Sequence, residues 1–274
     1  MAAIDIVGHF RLADARRLDH LLATLRSLHA LAPLTARVRL NVANGHGLCR
    51  PLERLLRHTG FPDVAVSADA GLAYGPAYSR LLAQTHAPAI LHIEEDHFCM
   101  VAETTPLARL LADARTHAAD LVPLTFHRLQ QERLGALPAE HVSDSGRLVR
   151  WDAAALARVR AAAPPGRPGA FFVGNNAVFA REFAERYWGR SIDGGRPHAF
   201  ELVDPPDGAS LRLLQPSFEV LRPIDDDHGI AGSCCLASAD PRWIRLARQR
   251  HPGIGWLRRR WWERAQRRAG LVPR

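Results

Sequence analysis

Apolar and polar residues follow one another along this chain in two rhythms. AIDIVGHF opens with a compact apolar run that reads as a first strand, and ADARRLDHLLATLRSLHAL follows with Leu18, Leu21, Leu22, Leu25 and Leu28 at helical spacing. A strand around ARVRLNV, a turn at ANGHG, a helix around PLERLLRHT and a short strand around DVAVS come next. After ADAGLAYGP the helix AYSRLLAQT leads into the strand PAILHI, and TPLARLLADARTHA with DLVPLTF repeats the helix–strand pair. Strands alternating with helices predict an α/β fold with a mostly parallel sheet covered on both faces.

The pattern changes after residue 127. To about residue 170 the chain is irregular and rich in Gly and Pro, with GRLVRW as a hairpin element. FFVGNNAVFA, the helix REFAERYW, a loop through SIDGGRPH, the segment LRLLQPSFEVLRP and the turn IDDDHGIAGS complete the body. No internal repeat is visible. From Gly255 the text becomes GWLRRRWWERAQRR, basic, aromatic and helix-prone.

Composition alters this picture mainly through where charge falls. A chain of 274 residues, 47% of them hydrophobic, is large enough for one substantial core. The net charge of +8 is not spread over that body: the last 34 residues hold 11 arginines against a single glutamate, and the remainder is close to neutral. There is no lysine, and all 36 basic residues are arginine, a bias that fits a GC-rich coding genome better than a binding preference. A neutral body without recognisable DNA or RNA motifs argues against nucleic acid as the partner.

In the tail, Ile254, Leu257, Trp261 and Ala265 share a helical face with arginines around the others, so residues 254–268 suit either an anionic membrane surface or the chain's own domain. LVPR at 271–274 reads as a tag remnant. Cys49, Cys99 and the vicinal Cys234 and Cys235 lack zinc-type spacing and read as reduced thiols. No run of about 18 apolar residues is present, and the start lacks a signal-peptide pattern, so a cytoplasmic location is expected.

ILHIEEDHF is where chemistry gathers. An apolar strand runs into Glu94, Glu95 and Asp96, followed by His97. Ligands of open parallel sheets sit beyond the carboxyl ends of strands. Three adjacent carboxylates repel one another, and a hard divalent cation such as Mn²⁺ or Mg²⁺ would relieve them. The bland alternative is an acidic turn facing water.

GPAYSRLLAQTHAPAILHIEED resembles the corresponding segment of family 2-type glycosyltransferases of the GT-A fold, in which a small-residue helix start leads to an apolar strand and an Asp-x-Asp motif. Tyr78-Ser79-Arg80 takes the Ala-Ala-Arg place and Glu94-Glu95-Asp96 the Asp-x-Asp place. The likeness covers roughly residues 3 to 232 and implies a Rossmann-like GT-A sandwich. Residues 1–125 would form its nucleotide-binding half and 126–240 its acceptor half, with a basic tail over 241–270.

The resemblance also implies site residues. Asp96 would ligate the metal, Glu94 would face the ribose or the metal's water shell, Glu95 would stand beside it in the cofactor site or point away, and Arg80 would lie near the diphosphate or brace the loop. The end of the first strand, with Gly8 and Phe10, would line the nucleotide site. Asn41 and Asn44 stand where the family commonly carries a base-contacting acid after strand two, and Leu81 replaces the usual Asn. His228 would be a late metal ligand. Gly174, Asn175 and Asn176 would line the sugar and acceptor pocket. Glu201, then Asp193, are the candidates for the general base of an inverting transfer.

The expected activity is therefore metal-dependent transfer of a sugar from a nucleotide-diphosphate donor to an acceptor hydroxyl, itself lipid-linked if the tail rests on the inner membrane face. Two rivals remain open at this stage. One is a nucleotidyltransferase acting on a sugar phosphate, and the other a noncatalytic, membrane-peripheral glycan-binding protein with the same fold.

Overall fold

A computed structural model describes residues 4–12, 15–72, 74–125, 134–161, 176–186 and 210–224. Its first unit is a run of parallel strands: β1 (Ile4–Phe10), β2 (Thr35–Ala43), β3 (Val64–Asp69) and β4 (Ala89–His92), paired in the order β3-β2-β1-β4. The sheet continues through β9 (Ala177–Ala180), β6 (Leu121–Pro123), β10 (Leu211–Pro216), β8 (Gly146–Trp151) and β7 (Ala139–Ser143). Among the described residues, seven of these nine strands run one way, while β8 and β9 run against them. This is the mostly parallel α/β sheet, covered by helices on both faces, that the strand–helix alternation predicts. A separate ribbon pairs β5 (His97–Cys99) with β11 (Leu221–Pro223).

The strands are apolar on both faces because helices cover both. Successive strand residues point to opposite sides, and the core divides accordingly. Ile4, Ile6, Leu91, Val122, Val178 and Leu214 pack with α1 (Ala15–Ser27), α2 (Cys49–His58) and α4 (Thr104–Thr116). Their neighbours Val7, Ile90, Leu121, Phe179 and Leu213 pack with α3 (Tyr74–Leu82), α5 (Ala153–Ala161) and the helical residues 181–186.

Three local features depart from the simple pattern. The leucine-rich first helix stops at Ser27 and continues as a 3-10 helix over Leu28–Leu34, which contains Pro33; proline lacks the N–H that α-helical continuation needs. The short strand β5 breaks the acidic segment from the helix that follows. LRLLQPSFEVLRP supplies two strands in different sheets, β10 and β11.

The site is positioned by a parting of strands. Pairing of β1 with β2 runs out to Phe10 opposite Val42, but pairing of β1 with β4 ends at Val7 opposite His92, extended only by the Ile93 N–H on the Val7 carbonyl at 3.0 Å. Between β1 and β4 the chain also changes its direction of winding, from β2 and β3 on one side to β4 on the other, so the crevice of an open sheet opens here. Gly8 lies at this point. A Cβ on it would come within 2.5 Å of the Phe10 ring and 3.1 Å of Ile93, so only glycine lets Phe10 fold back into the core.

Candidate active site

The acidic turn leaves β4 at the mouth of that crevice and is tied down from three sides. The Glu94 N–H donates to the Asn176 side-chain carbonyl at 2.7 Å, and the Asn176 amide returns a bond to Glu94 Oε2 at 3.2 Å. Asn176 is fully buried, takes a positive φ of 49° just before β9, and accepts the Leu124 N–H. Thr24 on α1 donates to the Glu95 carbonyl at 2.8 Å and accepts the His97 N–H at 3.1 Å. The Asp96 carbonyl accepts from Ile224 N–H beyond β11 at 2.7 Å.

Helix α1 thus has two working faces. Its leucines enter the core, while Arg17, His20, Thr24 and Ser27, spaced by three, four and three residues, form a second stripe. Ser27 accepts the Cys99 N–H at 2.8 Å, and Arg17 places NH1 3.1 Å from Glu95 Oε1 and 3.3 Å from Asp96 Oδ2. That polar stripe is readable in ARRLDHLLATLRS, although the leucine period dominates it.

The charges in the turn are uneven. Asp96 Oδ1 meets His97 Nδ1 at 2.7 Å. Burial would raise the Asp96 pKa, yet the charge and hydrogen bond of His97, with Arg17 and His20, pull it down to about 2. Burial would lower His97, and Asp96 with the two glutamates outweighs it and raises it. Glu94 and Glu95 go the other way: burial first, then the Asp96 charge, push them up to about 8 and about 7. Asp96 and His97 thus favour each other's charged forms, beside two carboxyls that resist losing their protons.

A divalent cation fits this arrangement. Glu94, Asp96 and His97 each bring one ligand atom to within 4.8 Å of the others. Two carboxylates with an imidazole form a donor set well matched to Mn²⁺ and acceptable to Mg²⁺. Burial first, and then like charge with too little counter-charge, is what raises the two glutamates.

Across the crevice, the ends of β1, β2 and β3 build a wall of a different kind. Asn41 donates through Nδ2 to His9 Nδ1 at 2.9 Å and to Asp69, and accepts from Ser67 Oγ at 2.8 Å. Asp69 also accepts the N–H groups of Gly71 and Leu72 at 2.8 and 2.7 Å. These bonds outweigh burial and hold its carboxyl below the usual range. Because Asn41 donates to His9 Nδ1, the ring proton of neutral His9 belongs on Nε2. Behind this wall the buried Tyr78 hydroxyl accepts the His9 N–H at 3.0 Å and donates to His92 Nε2, filling the gap left where β4 parts from β1.

The structure brings Glu94, Glu95, Asp96 and Asn176 together, and sets Asn41 on the opposing wall. Asn44 is exposed at the end of β2, with a positive φ of 58° and its N–H on the Asp69 carbonyl. Phe10 lies in the core, and Arg80 is on the exposed side of α3. Gly174, Asn175, Asp193, Glu201, His228 and the tail at 254–268 lie outside the described residues. Sequence reasoning missed Asp69, His9 and Arg17. It sought an acid at the end of β2, whereas the register of Ala43 with Asp69 delivers one from β3. The mark of it is the Asp-Ala-Gly at the close of that strand. Among the described residues, no helix is long and apolar enough to cross a membrane.

No protein-family model matches the chain, and no characterised protein matches it by sequence. Solved structures do match in shape. S. aureus TarS residues 1–349 shares 11% identity at a TM-score of 0.47, over 80% of this chain and 59% of TarS 1–349, so the chain spans less than two thirds of that protein's length. The glucosyl-3-phosphoglycerate synthase of Mycobacterium tuberculosis, in complex with Mn²⁺, UDP and phosphoglyceric acid, shares 15% at 0.37, over 66% of this chain and 56% of that one. A CMP:2-keto-3-deoxy-manno-octonic acid synthetase complexed with CTP shares 13% at 0.44, over 90% and 99%. Identities and scores this low describe a loose likeness of outline.

Proposed function

We propose that this chain is a metal-dependent glycosyltransferase that takes a sugar from a nucleotide-diphosphate donor and passes it to an acceptor hydroxyl. The observation that carries the reading is the convergence of Glu94, Asp96 and His97 at the carboxyl end of β4, where β1 and β4 part. The adjoining wall of His9, Asn41 and Asp69 offers donors and acceptors at the height where a nucleoside would lie.

In this reading Glu94, Asp96 and His97 would hold Mn²⁺ or Mg²⁺, with His228 as a further ligand, and the bound cation would supply positive charge against the diphosphate leaving group. Asn176 fixes Glu94 by both of its amide atoms, and Thr24 fixes the turn, so the carboxylates need not reorganise when the donor arrives. Glu201 or Asp193 takes the acceptor proton, giving inversion. Residues 1–125 serve the nucleotide and 126–240 the acceptor, Gly174 and Asn175 among them, with the tail directing the protein to a membrane face and a lipid-linked acceptor.

A thermal-shift panel of nucleoside diphosphates and nucleotide sugars, with and without Mn²⁺, tests this reading. One nucleotide sugar is expected to raise the melting temperature strongly only when Mn²⁺ is present. Absence of any Mn²⁺-dependent shift across the panel removes the reading. Product analysis separates the nearest alternative, because sugar transfer releases a nucleoside diphosphate and nucleotidyl transfer from a nucleoside triphosphate releases pyrophosphate.

A further inference from the structure

Both oxygens of Asp96 are already engaged by basic side chains of the chain itself. Oδ1 lies 2.7 Å from His97 Nδ1, and Oδ2 lies 3.3 Å from Arg17 NH1, which also meets Glu95 Oε1 at 3.1 Å. A metal ion that binds through Asp96 comes within a few ångströms of both, and its charge is repelled by whichever of them stays cationic. His97 carries an imidazole, whose ring nitrogen can itself serve as a metal ligand. Arg17 has no lone pair and keeps its charge at any working pH, so it can only withdraw or repel.

Geometry favours withdrawal of Arg17. Its bond to Asp96 is the longer of the two, and its side chain is 19% exposed, against 8% for His97. It stands in the first turn of α1, whereas Thr24, two turns further along the same stripe, carries the bonds that fix the acidic turn. Arg17 can therefore move without releasing the turn.

We propose that Arg17 is the resident counter-cation of the metal-free site, and that it and a divalent metal ion exclude one another on Asp96 and Glu95. This rests on the metal assignment made above and deepens it. In the metal-free protein Arg17 compensates part of the charge of the acidic turn. When the cation binds, the guanidinium leaves the carboxylates and is free to meet a phosphate, the oxyanion its planar fork matches best. Metal and donor then reach the site in concert, and free metal alone binds weakly.

The test is Mn²⁺ titration of the nucleotide-free protein by electron paramagnetic resonance, on wild type, Arg17→Gln and Arg17→Lys. Removing a unit charge beside a divalent ion is expected to tighten Mn²⁺ binding by about tenfold in Arg17→Gln. Arg17→Lys, which keeps the charge, should stay near wild type. Melting temperatures give a second readout. Arg17→Gln should lose stability in EDTA and gain more from Mn²⁺ than wild type does, whereas a purely structural role would lower both conditions equally. Mn²⁺ binding to Arg17→Gln that is equal to or weaker than wild type overturns the role of Arg17 and leaves the glycosyltransferase reading standing. If none of the three proteins binds Mn²⁺, the metal assignment itself fails and the exchange falls with it.

Discussion

Two carboxylate settings face each other across the crevice, and they are built oppositely. Asp69 receives two backbone N–H groups and the Asn41 amide, and its acidity is enhanced. Glu94 and Glu95 are half-buried beside Asp96 with too few donors for their charge, and their acidity is suppressed. The same functional group at two strand ends of one sheet is thus complete in one place and in excess in the other. A complete network is a wall, whereas an excess of charge held rigidly by Asn176 and Thr24 marks where a cation belongs.

The largest effect that would sharpen this contrast is on turnover. Asp96→Asn should lower donor consumption by at least about 100-fold, above the roughly 10–100-fold typical of residues that only orient metal ligands; steady-state kinetics with the donor that the panel selects measures it. A change below threefold would merge the two settings.

Next comes pH. Glu94 and Glu95 have folded values above their ordinary 4.5, and His97 is raised above 6.5, so the metal-free folded state binds more protons than the unfolded chain. The stability they contribute is present below about pH 4.5 for the glutamates and below about 6.5 for His97, and it is lost as pH rises through their folded values. Asp96, lowered to about 2, contributes the opposite trend only at pH below about 4. In EDTA, urea unfolding should therefore show stability from this cluster falling between about pH 5 and 8, by up to about 1.4 kcal/mol per pH unit for each proton. Saturating Mn²⁺ should reverse the trend, because it selects the deprotonated ligands. The two curves running parallel would contradict the proposed imbalance.

The wall should be more sensitive than the turn to loss of a single carboxylate. Asp69→Ala strands two backbone donors and the Asn41 amide, and should cost about 1–3 kcal/mol in urea unfolding. Glu94→Gln is expected to fall within about 0.5 kcal/mol of wild type in EDTA at pH 7, because that side chain already resists ionisation there. Equal losses in the two variants would erase the distinction.

Much of this was legible in the chain. Leucine spacing gave α1, the apolar runs gave β1 to β4, and the doubly covered parallel sheet followed from their alternation with helices. The acidic turn declared itself because charge at the end of a buried strand needs a reason. The opposing wall was harder to read, since Asp69 reaches Asn41 only through strand register, a long-range relation that local pattern does not carry. Arg17 was hidden for a related reason. Its stripe with Thr24 and Ser27 is helical in spacing, but its meaning depends on β5 and the acidic turn, which lie 70 or more residues away in the chain and come to rest against α1.

Hydrolysis of a nucleotide sugar without any acceptor is the most direct measure of the acidic turn, since it needs the metal site and not the acceptor half. Wild type with Mn²⁺ should release nucleoside diphosphate slowly but measurably, and EDTA or Asp96→Asn should each abolish that release. Release that persists undiminished in Asp96→Asn, or that is the same in EDTA as in Mn²⁺, would contradict the assignment of this strand end as a metal-dependent donor site.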